Sequence, residues 1–220
     1  MHQIPYHPPA HTGLALLHCD DALLIVDKPA GLLSVPGRGE GMQDCLAARV
    51  QAEYADALIV HRLDLATSGI LVFARGAAMQ RALSVAFQSR AVEKGYVAEV
   101  EGLLAEDAGS VDLPLITDWP NRPRQKVDHA IGKPSLTHWQ VVSRNRSTHS
   151  TRVALTPVTG RSHQLRVHMQ AIGHPILGDA LYGTTRGQAA APRLLLHAAT
   201  LTLPHPVSGT LLRIRSDAPF

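Results

Sequence analysis

Between His61 and Ser68 the chain sets an imidazole, a guanidinium, a carboxylate and two hydroxyls within eight positions. The segment reads His61-Arg62-Leu63-Asp64-Leu65-Ala66-Thr67-Ser68-Gly69 and interrupts two short apolar stretches. A carboxylate in such a setting can act as a nucleophile or a base. With an ordinary side-chain pKa of about 3.9 it is ionised at neutral pH without help. The same aspartate could instead hydrogen-bond the turn that Thr67, Ser68 and Gly69 make. These residues alone leave both readings open.

A second polar cluster lies a hundred residues on, in Pro157-Val158-Thr159-Gly160-Arg161-Ser162-His163-Gln164-Leu165-Arg166-Val167-His168. A glycine-containing turn precedes a helix start, where backbone N–H groups with Arg161 and His163 beside them suit a phosphate. Arg166 follows His163 by three positions and so shares its side of the helix. A charged helix face in solvent is the competing reading. Arg122, Arg124 and Lys126, spaced by two with Trp119 nearby, form either a phosphate-tracking loop or a solvated basic hairpin. Lys28 and Arg38 join Arg161 and His163 as candidates for contacts to a nucleic-acid backbone.

The elements that must position these groups follow from hydrophobic pattern. Ala22 to Val26 is a buried strand ending in the turn Asp27-Lys28-Pro29-Ala30-Gly31. Met42, Leu46, Val50 and Tyr54 recur every four residues and predict a helix, as do Met79, Leu83 and Phe87. Leu58 to Val60 and Gly69 to Ala74 are short strands on either side of the polar segment. From Gly95 to Gly102 the chain alternates, with Tyr96, Ala98 and Val100 on one face. Further strands are expected at 110–116, 135–143, 150–156, 195–203 and 210–215. A short helix after Ser162 is closed by Gly173, and 183–191 reads as a small-residue loop. Strands outnumber helices without regular alternation, so the fold class is α+β with a mixed, mainly antiparallel sheet flanked by helices and loops.

The chain has 220 residues, 45% of them hydrophobic, which suffices for a sizeable core. No apolar run approaches the roughly 18 residues of a membrane span. The start, with Pro5, Pro8 and Pro9, has no basic segment followed by an apolar one, and reads as a frayed or extended lead-in over residues 1–16. No linker divides residues 17–220, which are expected to form one domain. Two cysteines, Cys19 and Cys45, exclude a disulfide framework or a four-cysteine zinc site and suit a reduced, cytoplasmic protein. A net charge of +3 with 13 histidines uncounted permits a polyanionic partner without requiring one.

Taken with Lys94-Gly95-Tyr96, the two clusters resemble the RluA family of pseudouridine synthases. Residues 61–69 match that family's H-R-L-D-x-x-T-S-G signature throughout, and Gly160 to His168 match its G-R-[ST]-H-Q-[LI]-R-V-H element. Asp27 to Leu32, Gly173 to Asp179, Leu195 to Ala198 and His205-Pro206 extend the resemblance from about residue 17 to 216. It implies the pseudouridine synthase fold with an active-site cleft across the sheet, without the S4-like RNA-binding domain of some relatives. It implies structured RNA as partner; Leu33 to Arg38 and Asp118 to Val127 resemble the loops of one member in particular, which implies a hairpin loop of large-subunit ribosomal RNA and the anticodon stem-loop of some tRNAs. No obligate protein partner follows from it, and a monomer is expected.

The reaction so implied breaks the bond from uracil N1 to the ribose, turns the base and rejoins it through C5. No atom is gained or lost, so neither cofactor nor metal is expected. By the resemblance Asp64 is the catalytic carboxylate, whether it attacks the sugar C1′, attacks base C6 or acts as base in a glycal route. Arg166 would pair with Asp64 and keep it charged. Tyr96 would stack on the base and could help remove the C5 proton, Leu165 would line the pocket, and Arg62 would fill the place of the flipped uridine. Three rivals make different demands. A zinc hydrolase would need the right spacing among His163, His168 and His174, which lack an i, i+4 pair with an intervening glutamate. A glycosidase-like hydrolase would need a second acid beside Asp64. An RNA-binding module would keep the fold without the chemistry.

Overall fold

A computed structural model describes residues 6–39 and 41–220. Along the chain run β1 (Leu16–Cys19), β2 (Leu23–Lys28), α1 (Leu46–Glu53), β3 (Ala57–Ile59), β4 (Ser68–Arg75) and α2 (Gly76–Gln88). There follow β5 (Glu93–Glu101), β6 (Ala108–Asp112), β7 (Leu115–Thr117), β8 (Gln125–Val127), β9 (Leu136–Asn145) and β10 (Ser150–Pro157). The last elements are α3 (Gln164–Ala171), α4 (Thr185–Ala189), β11 (Leu196–Pro204) and β12 (Leu211–Arg215). The expected α+β class with mainly antiparallel pairing holds: β2–β4, β5–β10, β9–β10 and β11–β12 all pair antiparallel.

The chain's contacts fall into two compact units, Met1–Glu93 with Ala198–Pro219, and Lys94–His197 with Phe220. In the first unit the strands run in the order β1-β2-β4-β11, with β3 also on β4 and β12 on β11. Leu23 and Ile25 of β2, Ile70, Val72 and Ala74 of β4, and Leu83 of α2 share one core. The apolar run of β2 is buried on both faces, as a central strand requires. Helix α1 starts at Leu46 rather than near Met42, because Cys45 is its cap: the sulfur accepts from the Ala48 N–H at 3.4 Å.

The lead-in is not frayed over its described residues. The Tyr6 hydroxyl donates to the Asp44 carbonyl at 2.9 Å and accepts from the Leu33 N–H at 3.0 Å, and Arg49 reaches the Pro9 carbonyl at 2.6 Å. Pro5 lies outside the described residues.

The second unit carries the strand order β5-β10-β9-β6 and a separate two-stranded hairpin, β7–β8. The hairpin encloses a single 3-10 turn at Trp119–Asn121. The expected strand at 110–116 is thus two strands, β6 and β7, which belong to different sheets. Residues 183–191, expected as a loop, contain α4. The Thr184 hydroxyl caps it by accepting from the Gly187 N–H at 2.9 Å while donating to Glu101 at 2.6 Å. So short a helix has no apolar periodicity to betray it.

Candidate active site

In the first unit Asp64 stands on a loop that is held at almost every residue around it. His61, at the start, accepts the Val72 N–H through Nε2 at 3.1 Å and stacks on Phe87 with ring centroids 4.7 Å apart. The Ser34 hydroxyl donates to the Leu63 carbonyl at 2.7 Å and accepts the Leu63 N–H at 3.1 Å. The Leu65 carbonyl accepts from the Gly31 N–H at 2.9 Å and from the Lys28 ammonium at 3.2 Å. Thr67 N–H closes the turn on the Asp64 carbonyl at 3.1 Å. At the far end Gly69, with φ +112°, brings its backbone against Ala198, where an added Cβ would lie 2.3 Å from the Ala198 oxygen. The residues before and after Asp64 are therefore fixed by backbone bonds, and the half-buried carboxylate sits between them.

Lys28, expected among the backbone-contacting residues, is turned into the protein in this arrangement. Its side chain is fully buried, and the ammonium also donates to Leu32 O at 2.6 Å and Pro29 O at 3.0 Å. A buried ammonium survives only where oxygens replace its water, and here the turn 29–32 supplies them. The lysine is a clamp between that turn and the Asp64 loop. Arg62 and Arg38 are exposed, as an RNA-facing role demands.

In the second unit the start of α3 is locked by Gln164, which sequence reasoning passed over. Its buried amide oxygen accepts from the Thr159 hydroxyl at 2.7 Å and the Arg161 N–H at 3.0 Å. Its nitrogen donates to Leu136 O and the Thr137 hydroxyl, both at 3.0 Å. All four hydrogen-bonding positions of the amide are used. The Arg161 N–H, just ahead of the helix, is thus taken by Gln164. From Thr137 the chain of bonds runs on to His168 Nδ1 at 2.9 Å, and His168 Nε2 reaches Leu113 O at 3.1 Å. Burial holds the His168 imidazolium pKa down, only partly opposed by that carbonyl.

Arg166 is buried, so the solvated-face reading fails for it. Its Nε and one terminal nitrogen grip the fully buried Asp179 carboxylate at 2.7 and 2.6 Å. Asp179 also accepts from the Leu181 and Tyr182 N–H groups at 2.9 and 3.1 Å. Tyr182 in turn lies under the Arg166 guanidinium, 5.1 Å from the ring centre. Neither Asp179 nor Tyr182 was singled out for a role in the sequence, since their partners are distant along the chain. Leu165 is buried beside Arg166. Tyr96 is half-buried on the same strand face as the buried Ala98 and Val100, opposite Leu155 of β10. Two residues before it, burial lowers the Lys94 ammonium pKa.

The remaining basic candidates divide. Arg161 is exposed, with a long contact to Pro134 O at 3.4 Å. His163, in left-handed backbone at φ 54°, is half-buried and bonded through Nδ1 to the Tyr182 hydroxyl at 2.7 Å. On the hairpin, Arg122 and Lys126 are exposed and Arg124 is half-buried. Arg122 stacks on the exposed Trp119 at 4.5 Å, and Arg124 on Tyr182 at 5.5 Å. The three histidines of the zinc reading are committed elsewhere: His163 to Tyr182, His168 to Thr137 and Leu113, His174 to Glu101 O at 2.8 Å. Among the described residues no three His, Cys, Asp or Glu side chains gather as a metal site.

A family model described as RNA pseudouridylate synthase matches residues 22–171. The chain belongs to this family. It is 50% identical over 215 residues, 98% of each chain, to the Dual-specificity RNA pseudouridine synthase RluA of Escherichia coli strain K12. The protein of the same name from Haemophilus influenzae strain Rd is 46% identical over 217 residues, 99% of each chain. Among solved structures, the Human RNA Pseudouridylate Synthase Domain Containing 1 superposes with a TM-score of 0.81 at 28% identity, covering 97% of this chain and 87% of that one. The synthase is therefore an isomerase acting on uridine in RNA. Of the rivals, the hydrolases and the non-catalytic module both give way to this assignment.

Proposed function

We propose that this synthase isomerises uridines in two kinds of RNA, a hairpin loop of large-subunit ribosomal RNA and the anticodon stem-loop of tRNA, with Asp64 as its nucleophile. Near-full-length similarity to relatives named for dual specificity supports the substrate reading. The observation that carries the catalytic reading is the clamped loop. Lys28, Gly31 and Ser34 bond the backbone of Leu63 and Leu65, the two residues that flank Asp64. A turn-capping aspartate has no use for such support, whereas a reacting group needs a fixed position.

In this reading the target uridine leaves its stack and the exposed Arg62 takes its place, offsetting an unstacking cost of a few kcal/mol. Tyr96 stacks on the base and Leu165 bounds the pocket. Asp64 attacks C1′ or C6, or takes a proton in a glycal route. In each case the N1–C1′ bond breaks, the C5–C1′ bond forms, and the proton lost from C5, which Tyr96 helps to remove, is balanced by one taken up at N1. Arg166 serves to orient Asp64, as the resemblance to the family implies. Arg38, Arg122, Arg124, Lys126, Arg161 and His163 bind the RNA backbone. The chemistry is redox-neutral and uses no cofactor or metal, and the enzyme works as a monomer in the cytoplasm.

Asp64→Asn should reduce pseudouridine formation below detection while the purified variant still binds a stem-loop transcript. Turnover at the wild-type rate would remove Asp64 from the nucleophile's role. Pseudouridine mapping in rRNA and tRNA from cells with and without the protein tests the substrates. Loss in only one RNA class would overturn dual specificity.

A further inference from the structure

The β7–β8 hairpin has strands of three residues each and, among the described residues, no third strand, too little to hold its own pose. Its base is bonded to residues 133–135 through Leu113 and Leu115. On its returning strand, the Gln125 N–H donates to the Tyr182 hydroxyl at 2.7 Å. The same hydroxyl bonds His163 at the start of α3, and Arg124 and Arg166 both lie over the Tyr182 ring. Leu115 of the hairpin, Val167 of α3 and Tyr182 form one small buried cluster.

Tyr182 itself is on a rigid mount. The segment from Gly178 to Gly183 folds tightly on the Asp179 carboxylate and on the Gly183 N–H to Asp179 O bond at 2.9 Å. At Gly178, with φ +72°, an added Cβ would lie 1.8 Å from the Arg193 oxygen, so only glycine permits this path. Asp179 thus fixes both Tyr182, through its backbone, and Arg166, through its side chain.

We propose that Tyr182 is a positioning residue, the joint through which RNA held on the basic hairpin sets the place of Arg166. The proposal rests on the reading above in which the hairpin binds RNA and Arg166 works on Asp64. A hairpin this small follows its load, and its returning strand is tied to the start of α3 by the Tyr182 hydroxyl and by Val127, which packs on the same cluster. Binding that shifts or steadies the hairpin is felt at His163 and Arg166, and the coupling is reciprocal. The RNA's backbone contacts, remote from the target base, are so converted into a correctly placed guanidinium rather than into affinity alone.

The test is a double-mutant cycle on the full chain with an anticodon stem-loop transcript that the wild type modifies, reading kcat and KM separately. Tyr182→Phe keeps the ring under both arginines and removes only the hydroxyl. It should lower kcat roughly tenfold, a typical size for coupling between sites, with KM changed by less than about threefold. Arg124→Ala should raise KM. In the Arg124→Ala background, Tyr182→Phe should cost less than about twofold more in kcat, because the load it transmits has gone. A hydroxyl that merely stabilises the fold would give the same loss in both backgrounds, and that additive result overturns the proposal. So does a wild-type kcat in Tyr182→Phe. If Arg122→Ala and Arg124→Ala both leave KM unchanged while the wild type turns over, the hairpin reading falls and the joint with it. No turnover of that transcript by the wild type would instead point to a wrong substrate, and the cycle would be run on the ribosomal hairpin.

Discussion

Replacing Lys28 by methionine separates a clamp from an RNA contact. Methionine has comparable reach and fills the same fully buried space, but it cannot donate to Leu32 O, Pro29 O or Leu65 O. Leu65 O keeps the Gly31 N–H, so two carbonyls lose the ammonium. Each buried carbonyl left unsatisfied costs about 1–3 kcal/mol. Against this, the variant no longer buries an ammonium, itself a cost of several kcal/mol. The balance is a destabilisation of about 2 kcal/mol, which lowers Tm by about 4–8 °C for a chain of this length. The larger effect is on rate. Leu65 is the neighbour of Asp64, and a displacement of about 1 Å in a reacting group can cost on the order of 100-fold. Calorimetry gives the Tm, and single-turnover kinetics at several salt concentrations give rate and binding. Lys28→Met should show a lowered Tm and a rate reduced about 10- to 100-fold, with the salt dependence of binding unchanged. An unchanged Tm with a salt slope reduced by about one would mean that Lys28 neutralises a phosphate, and the clamp would be refuted.

Gly69→Ala should destabilise the first unit by about 3–5 kcal/mol, combining left-handed backbone strain with a Cβ only 2.3 Å from the backbone oxygen of Ala198. A urea midpoint equal to that of the wild type would contradict this packing. Acid should weaken the second unit through His168, whose folded pKa is depressed by burial. Above about pH 6.5 both folded and unfolded imidazoles are neutral and the contribution is flat. Below it the unfolded chain takes up a proton that the folded site resists, and about 1.4 kcal/mol is lost per pH unit until the folded pKa is reached. A nuclear magnetic resonance titration of the His168 ring should place its midpoint below the ordinary histidine value. A midpoint at the ordinary histidine value would count against the network through Thr137 and Gln164.

Much of the secondary structure was legible because it depends on neighbours in sequence. Leu83 falls on the buried face that its spacing from Met79 and Phe87 anticipated, and β4 and β10 lie within two residues of their expected bounds. The helix α4 was missed because five residues with one threonine cap leave no period to read.

The sequence by itself determined which groups could do chemistry. Residues 61–69 alone left a turn-capping aspartate and a nucleophile both open, and it was the resemblance of this segment and the ordered further motifs to a known family that named the reaction. What it could not determine is which polar groups face RNA and which face the interior. Lys28 and Arg38 look alike in sequence, yet one is enclosed by three carbonyls and the other is exposed. Whether a charge can be buried depends on oxygens brought from elsewhere in the chain, here from Leu65 for Lys28 and from Asp179 for Arg166. Those partners meet only when the chain has folded, and so the tertiary structure alone decides which of the basic residues hold the site together.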